Sequence, residues 1–131
     1  MFPVPIKLLN FLPPLALMGL IFFLSDQPNL STGLGFGDLI LRKLAHMGSY
    51  GLLTLLWWRA LAPLTGHSLA FAALVSFLYA VSDEYHQSFI EGRNGSPVDV
   101  AIDAAGIIVA VLLARSAWFR GRIARSFSSL P

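Results

Sequence analysis

The chain has 131 residues, of which 56% are hydrophobic and only 12% are charged, and its formal net charge is +2. Soluble domains carry about 25% charged residues, so this composition is hard to reconcile with a water-facing domain and predicts an integral membrane protein. The small net charge argues against nucleic-acid binding, and the absence of cysteine excludes disulfides and thiolate metal sites.

The first apolar run, residues 8–25, carries no charge and predicts a helix over about 5–25. It is longer than the apolar core of a signal peptide, and no small-residue cleavage site follows it. We therefore interpret it as an uncleaved first span. Pro13 and Pro14 lie inside the run and predict a kink. The segment 26–38, rich in Gly, Ser and Pro, is typical of a loop.

Three further helices are predicted, over about 38–61, 67–87 and 97–118. Pro63 and Gly66 mark a tight turn after the first of these. The polar loop 89–97 separates the last two, and Pro97 suits a helix N-terminus. A bilayer span needs roughly 20 apolar residues, so four spans take up most of the chain. The pattern therefore predicts one domain over residues 1–131. We expect an all-α membrane protein, a compact bundle of four transmembrane helices.

Basic residues are distributed unevenly between the two ends of this bundle. The larger group is Lys7, Arg59, Arg115, Arg120, Arg122 and Arg125. The other end holds all seven carboxylates together with Arg42, Lys43 and Arg93. The positive-inside rule therefore predicts that both termini lie in the cytoplasm and that the carboxylates lie at the outer end.

Ionisable residues in a span cost on the order of 2.5–3.5 kcal/mol at its centre, so they are expected to face the bundle interior. On the second helix, one stripe four residues apart is bordered by a lysine: Arg42, His46 and Tyr50, with Lys43. On the third helix, a polar group ends the span: Asp83, Glu84, His86 and Gln87. The fourth helix contributes Asp99 and Asp103.

All three groups lie at the same depth, so the sequence predicts one outward-facing polar pocket. Loop 89–97 would cover it, and Arg93 could fold over it. A simpler interpretation is that Arg42 or Lys43 pairs with Asp99 or Asp103 and merely fixes the packing. The number of ionisable groups at one end favours a functional site, because packing needs fewer.

Two segments carry a family resemblance: RKLAHMGSYGLL (42–53) and SDEYHQSFIEGRNGSPVDVAIDAAG (82–106). They resemble the VanZ-like family of bacterial integral membrane proteins. That family has a basic pair and a His before a Tyr, then D-E-x-x-Q, a G-R loop and D-x-x-x-[DN]-x-x-G. The resemblance implies these ligand-binding and structural positions: Arg42, Lys43, His46, Tyr50, Asp83, Glu84, His86, Gln87, Gly92, Arg93, Asp99, Asp103 and Gly106. Ser49 departs from an often acidic position, and Glu91 from a more familiar proline.

The resemblance implies a multi-pass protein of the bacterial cytoplasmic membrane and a role in the cell envelope. The member that gives the family its name is associated with resistance to the antibiotic teicoplanin, which acts at the outer face of the membrane. Our first hypothesis is therefore a pocket that binds membrane lipids or lipid-linked cell-wall precursors by their headgroups, and that reduces teicoplanin susceptibility.

Two other hypotheses remain open from the sequence. One is a metal-assisted enzyme acting on a phosphorylated lipid, in which carboxylates hold a divalent cation. The metal ligands would come from Asp83, Glu84, Asp99 and Asp103, and the catalytic candidates are His46, His86, Asp99 and Asp103. The other is a non-catalytic assembly partner of a membrane complex. Whether catalysis occurs, and the oligomeric state, are left open by these patterns.

Overall fold

The computed structural model describes residues 6–26, 35–90 and 95–128, and every regular element in these ranges is an α-helix. In chain order the helices are α1 (Ile6–Leu9), α2 (Leu12–Ser25), α3 (Phe36–Leu61), α4 (Ser68–Gln87) and α5 (Pro97–Ser128). The predicted all-α fold is confirmed for this part of the chain.

The first predicted helix consists of two helices, because a turn interrupts it before its prolines. Phe11 donates its N–H to the carbonyl of Leu8 at 3.1 Å in this turn. Pro13 and Pro14 then lie in the first turn of α2. The missing proline N–H leaves no hydrogen bond unmade there, since the first N–H groups of a helix have no partner within it. The prolines therefore begin α2 rather than kink it.

The last helix is longer than the sequence predicted. It contains 32 residues and continues to Ser128, whereas the sequence predicted an end near residue 118 and a separate tail. The tail holds no proline before Pro131, and its three arginines are good helix formers. At 1.5 Å per residue α5 is about 48 Å long, so it exceeds the hydrocarbon core of a bilayer, about 30 Å thick.

The helix α3 is at the centre of the bundle and packs against α2, α4 and α5, while α4 also packs against α2 and α5. The buried core draws on all four long helices: Ile21, Tyr50, Leu53, Ala80 and Ile107. Tyr79 ties α4 to α2, because its hydroxyl donates to the carbonyl of Met18 at 2.6 Å. As a result, α2 lies against both α3 and α4.

Small residues allow α3 and α5 to approach each other closely. A Cβ atom at Gly106 would overlap the backbone of Met47, and one at Gly51 would lie 3.0 Å from the Gly106 carbonyl oxygen. Such contacts are typical of helix pairs in membranes, where small residues let two backbones pack together. His46 directly precedes Met47, and Asp103 lies one turn before Gly106, so this crossing sets the distance between those two side chains.

Two stretches, Lys7–Ser25 and Pro97–Ala117, are long and apolar enough to cross a membrane. Most of their large apolar side chains face outward rather than into the core. Leu112 and Leu113, for example, are 61% and 60% exposed. A core helix of a soluble protein would bury these side chains, whereas a lipid-facing helix presents them to acyl chains.

The close crossing makes a stability prediction for Gly106→Ala. The added methyl group has to push the two helices apart, and overpacking of this kind costs about 1–3 kcal/mol. We expect a lower unfolding temperature for the purified protein in detergent, followed by circular dichroism.

Gly48→Ala is the matched control, because Gly48 lies in the same region of α3 and a Cβ atom there meets nothing within 4 Å. The control should unfold at or above the wild-type temperature, since alanine favours helix over glycine. Equal unfolding temperatures for the two variants would contradict the close crossing.

Candidate functional site

The candidate site lies at one end of the bundle, where three helix segments meet: the first half of α3, the last turn of α4 and the first turns of α5. Their side chains form a polar cluster, which consists of Arg42, Lys43, His46, Tyr50, Asp83, Glu84, Gln87, Asp99 and Asp103. Five of its members are buried in an otherwise apolar bundle: Tyr50, Asp83, Glu84, Gln87 and Asp103. Buried polar groups are costly unless they have partners, so each contact in the cluster matters energetically.

The imidazole of His46 lies where α3, α4 and α5 meet. Its Nδ1 atom is 3.3 Å from Oδ1 of Asp103 and 3.9 Å from Oε1 of Glu84. Asp103 is 0% exposed, and its Oδ2 atom has no hydrogen-bond partner among the described residues. One imidazole therefore faces two buried carboxylates that come from different helices.

A hydrogen-bonded chain of buried side chains joins α2, α3 and α4. The hydroxyl of Tyr50 donates to Oδ2 of Asp83 at 2.9 Å. Nε2 of Gln87 donates to the same oxygen at 3.4 Å and to Oγ of Ser25 at 3.2 Å. Such a network fixes the rotamers of its members, because each would lose a buried partner by turning away. It holds Asp83 in place beside His46.

The two permanently charged cations of the cluster are each paired with a carboxylate. Lys43 forms an ion pair with Asp99 between α3 and α5. Arg42 forms one with Asp38, four residues earlier on α3, at 2.9 Å between Nη2 and Oδ2. The interpretation that ion pairs fix the helix packing therefore holds for Lys43 and Asp99, which join two helices. Arg42, however, pairs within its own helix.

Ser96 caps the start of α5 and also contacts the end of α4. Oγ of Ser96 accepts the N–H of Asp99 at 3.2 Å and donates to Oδ2 of Asp99 at 2.9 Å, so Ser96 caps the first turn of α5. The N–H of Ser96 lies 3.4 Å from Oε2 of Glu84. A Cβ atom at Gly95 would overlap the Glu84 carbonyl, so the chain can pass this close to α4 only as glycine.

The charges of the site do not balance among the described residues. Arg42 and Lys43 are neutralised by Asp38 and Asp99. Three further carboxylates then surround His46, and all three are nearly or fully buried: Asp83, Glu84 and Asp103. Like charges this close in a low-dielectric interior repel one another, so the cluster is suited to receive a positive group.

Two cavities share Arg42 and His46 of the cluster. The inner cavity, of ≈ 30 Å³, is lined by Arg42, Lys43, His46, Glu84, Gln87, Asp99, Ile102 and Asp103. The α2–α3 groove, of ≈ 110 Å³, is lined by Ile21, Leu24, Ser25, Arg42, Ala45, His46, Ser49 and Tyr50. Arg42 and His46 belong to both, so the mainly apolar groove leads directly to the charged cavity. The Nε atom of Arg42 is buried and has no hydrogen-bond partner among the described residues.

The structure separates His86 from the cluster, although the sequence grouped it with Asp83. Its Nε2 atom is 3.2 Å from Oδ1 of Asp26, and its ring stacks on Phe22 with 5.0 Å between centroids. Each residue turns a helix by about 100°, so position 86 faces α2 while positions 83, 84 and 87 face the bundle interior. The predicted positions Glu91, Gly92 and Arg93 lie outside the described residues.

Three contributors to the site were not identified from the sequence. Asp38 had a local signal, because it precedes Arg42 by four residues on one helix. Ser96 also had one, since a serine three residues before an acidic residue at a helix start is a capping-box pattern. Ser25 had none, because only the packing of α2 against α4 brings it to Gln87.

Comparison with known proteins adds one finding. The model of the VanZ/LLP1 family matches residues 9–120, a range that contains every member of the polar cluster. No curated protein and no solved structure matches the chain.

Proposed function

The chain belongs to the VanZ/LLP1 family, and from this premise we propose that it is a multi-pass protein of the bacterial cytoplasmic membrane that binds the headgroup of an envelope lipid. The ligand is a membrane lipid or a lipid-linked cell-wall precursor, held at the outer end of a bundle of four spans. The observation that carries the proposal is that Arg42 and His46 line both the α2–α3 groove and the inner cavity.

The groove and the cavity together suit an amphiphile. An acyl or prenyl chain fits along Ile21 and Leu24, and its headgroup then reaches the end of the groove that Arg42 and His46 form. The unpaired Nε donor of Arg42 favours an anionic headgroup, because a guanidinium binds phosphate oxygens through charge-assisted hydrogen bonds.

The proposed topology places the polar cluster outside and both termini in the cytoplasm. At the opposite end of the bundle, the turn after α3 lies near Trp58 and Arg115, which line one cavity with Gly66. Arginine is enriched on the cytoplasmic side of membrane proteins, whereas tryptophan is enriched at both membrane–water interfaces. Between these ends α4 contains 20 residues, about 30 Å, which matches the bilayer core.

Single cysteines on either side of α4 test this topology, because the chain contains no cysteine of its own. Ser88→Cys and His67→Cys each place a thiol at an exposed position directly flanking the helix. A membrane-impermeant maleimide should label the position-88 variant in intact cells and the position-67 variant only after permeabilisation. The reverse pattern, or labelling of both in intact cells, would refute an outward-facing site.

Binding of phosphorylated lipids tests the proposed ligand class. The purified protein in uncharged detergent should bind phosphatidylglycerol or a polyprenyl phosphate, detected by native mass spectrometry, and should not bind diacylglycerol. Arg42→Lys keeps the charge beside Asp38 but removes the Nε donor. It should weaken binding about tenfold, since a hydrogen bond to a charged group is worth about 1.5–3 kcal/mol.

Arg115→Lys is the control for this measurement, because Arg115 lies at the opposite end of the bundle. It should bind as the wild type does. Equal loss in both variants would attribute the binding to general surface charge, and equal binding of diacylglycerol would attribute it to the apolar groove alone.

In cells, expression in a glycopeptide-sensitive Gram-positive host should reduce susceptibility to teicoplanin more than to vancomycin. Teicoplanin carries an acyl chain that places it at the membrane surface, where the proposed site lies, whereas vancomycin lacks this chain. Inhibitory concentrations are compared for the wild type, Arg42→Lys, Asp99→Asn and Arg115→Lys at matched membrane levels. Arg42→Lys and Asp99→Asn should lose the protection, and Arg115→Lys should keep it.

An unchanged teicoplanin response would reject this role and favour an assembly partner. Lipids extracted from the same cells distinguish binding from catalysis. A headgroup change that depends on Asp99 would favour an enzyme acting on a phosphorylated lipid.

A further inference from the structure

We infer that the polar cluster binds one divalent cation, held between α3, α4 and α5 by His46, Glu84 and Asp103, with Asp83 as a fourth ligand. The inference concerns the residues of the cluster alone and does not depend on which lipid the protein binds. Four independent observations support it: donor distances, charge, an unpartnered carboxylate and the size of the cavity.

The donor atoms are spaced as ligands of one ion. Ligand oxygen and nitrogen atoms lie about 2.1 Å from such an ion, so two of them are about 3.0 Å apart at right angles and about 4.2 Å apart in opposite positions. Nδ1 of His46 is 3.3 Å from Asp103 and 3.9 Å from Glu84, within this range. Donor atoms of His46, Asp83 and Glu84 also lie within 4.8 Å of one another. The limit of 4.8 Å exceeds 4.2 Å, and Asp103 reaches this group through its contact with His46, so the ligand side chains have to move closer together to bind one ion.

Charge provides the reason for a cation. Lys43 and Arg42 are each paired with another carboxylate, so neither neutralises the three acidic groups around His46. Several buried carboxylates near one imidazole repel one another. A divalent cation offsets most of this repulsion, whereas a single imidazolium offsets only part of it.

Asp103 is the clearest sign that a ligand is expected. It is fully buried, and Oδ2 receives no hydrogen bond from any described residue. A buried carboxylate oxygen that receives no hydrogen bond is disfavoured in a protein interior. Asp103 lines the inner cavity. A positive group bound in this cavity would give Oδ2 of Asp103 a partner of opposite charge.

The inner cavity has the size of an ion rather than of an organic molecule. It measures ≈ 30 Å³, and a cavity needs roughly 10–15 Å³ to hold one water-sized particle. A cation with one bound water therefore fits, while a lipid headgroup does not enter beyond the end of the α2–α3 groove. The groove ends at His46, so a bound headgroup would lie beside the ion.

Neighbouring residues hold the ligands in position. Tyr50 and Gln87 both donate to Oδ2 of Asp83, which leaves its Oδ1 available to the ion. The N–H of Ser96 supports Glu84 at Oε2, while Oε1 faces His46. Metal ligands are typically oriented by hydrogen bonds of this kind from residues outside the coordination sphere.

The donor set favours a first-row divalent ion over calcium. Carboxylate oxygens suit Mg²⁺, Ca²⁺ and Mn²⁺, whereas imidazole suits Zn²⁺ and iron, and Mn²⁺ accepts both types. We therefore use Mn²⁺ as the probe. At the edge of the groove such an ion would attract the phosphate oxygens of a headgroup and would complement Arg42.

The experiment uses the full chain, purified in detergent, stripped with EDTA and freed of lipid. Electron paramagnetic resonance of free Mn²⁺ gives the stoichiometry and affinity, and circular dichroism gives the unfolding temperature. We expect one tightly bound Mn²⁺ per chain and a rise in unfolding temperature on the order of 5 °C at saturating metal. His46→Gln and Asp103→Asn should each weaken Mn²⁺ binding at least about tenfold, because each removes a ligand.

The exposed pair of His86 and Asp26 provides the control, because it offers the same two groups 3.2 Å apart but does not lie in the cluster. His86→Gln and Asp26→Asn should bind Mn²⁺ as the wild type does. Wild-type protein that is folded but binds no Mn²⁺ or Zn²⁺ would overturn the inference. Equal weakening in the control pair would overturn it as well.

The unfolding temperature of the metal-free variant shows whether a loss of Mn²⁺ binding is due to misfolding. Asp103→Asn removes one of three repelling charges, so it should raise the unfolding temperature of the stripped protein while removing the response to Mn²⁺. A stabilised variant that still responds to Mn²⁺ as the wild type does would show that the ion binds elsewhere. Because no lipid is present, failure of headgroup binding leaves this result unaffected.

Discussion

Charge that is buried in an apolar bundle requires a partner, and this requirement shapes one whole end of the protein. Asp83, Glu84 and Asp103 lie in the interior, where water does not solvate them. Their positions are maintained by a network that spans four helices, from Ser25 on α2 to the capped start of α5. The packing, the caps and the ion pairs at this end can all be understood as responses to that burial.

The close crossing of α3 and α5 sets the geometry of this end. Gly106 lies against the backbone of Met47, and no larger residue fits there without separating the helices. His46, next to Met47, and Asp103, one turn before Gly106, consequently meet at 3.3 Å. A wider crossing would leave the imidazole and the carboxylate apart and would open the inner cavity to other molecules. A glycine without any polar atom is thus as important to the site as the residues that line it.

The two cavities join the charged end of the bundle to an apolar surface. The α2–α3 groove is mainly apolar where it leaves the cluster, and it ends at Arg42 and His46. A lipid has a similar arrangement, because its apolar chain is followed by a charged headgroup. The headgroup and the cation proposals therefore concern neighbouring sites. One explains Nε of Arg42 and the other explains Oδ2 of Asp103, and neither atom has a hydrogen-bond partner among the described residues.

The sequence determined the all-α class, the approximate extent of α3 and α4 and the membership of most of the cluster. These follow from local physics, because apolar runs of span length form helices and residues four apart share a helix face. Even the misjudged end of α5 was a local matter, since nothing in the tail stops a helix.

Only the tertiary structure decided which stripes face each other. The rotation of α4 separated His86 from Asp83, the capped start of α5 brought Asp99 to Lys43, and Tyr50 took Asp83 as its partner. Those choices depend on how helix backbones cross and rotate in three dimensions, and periodicity along a single helix carries no information about its neighbour.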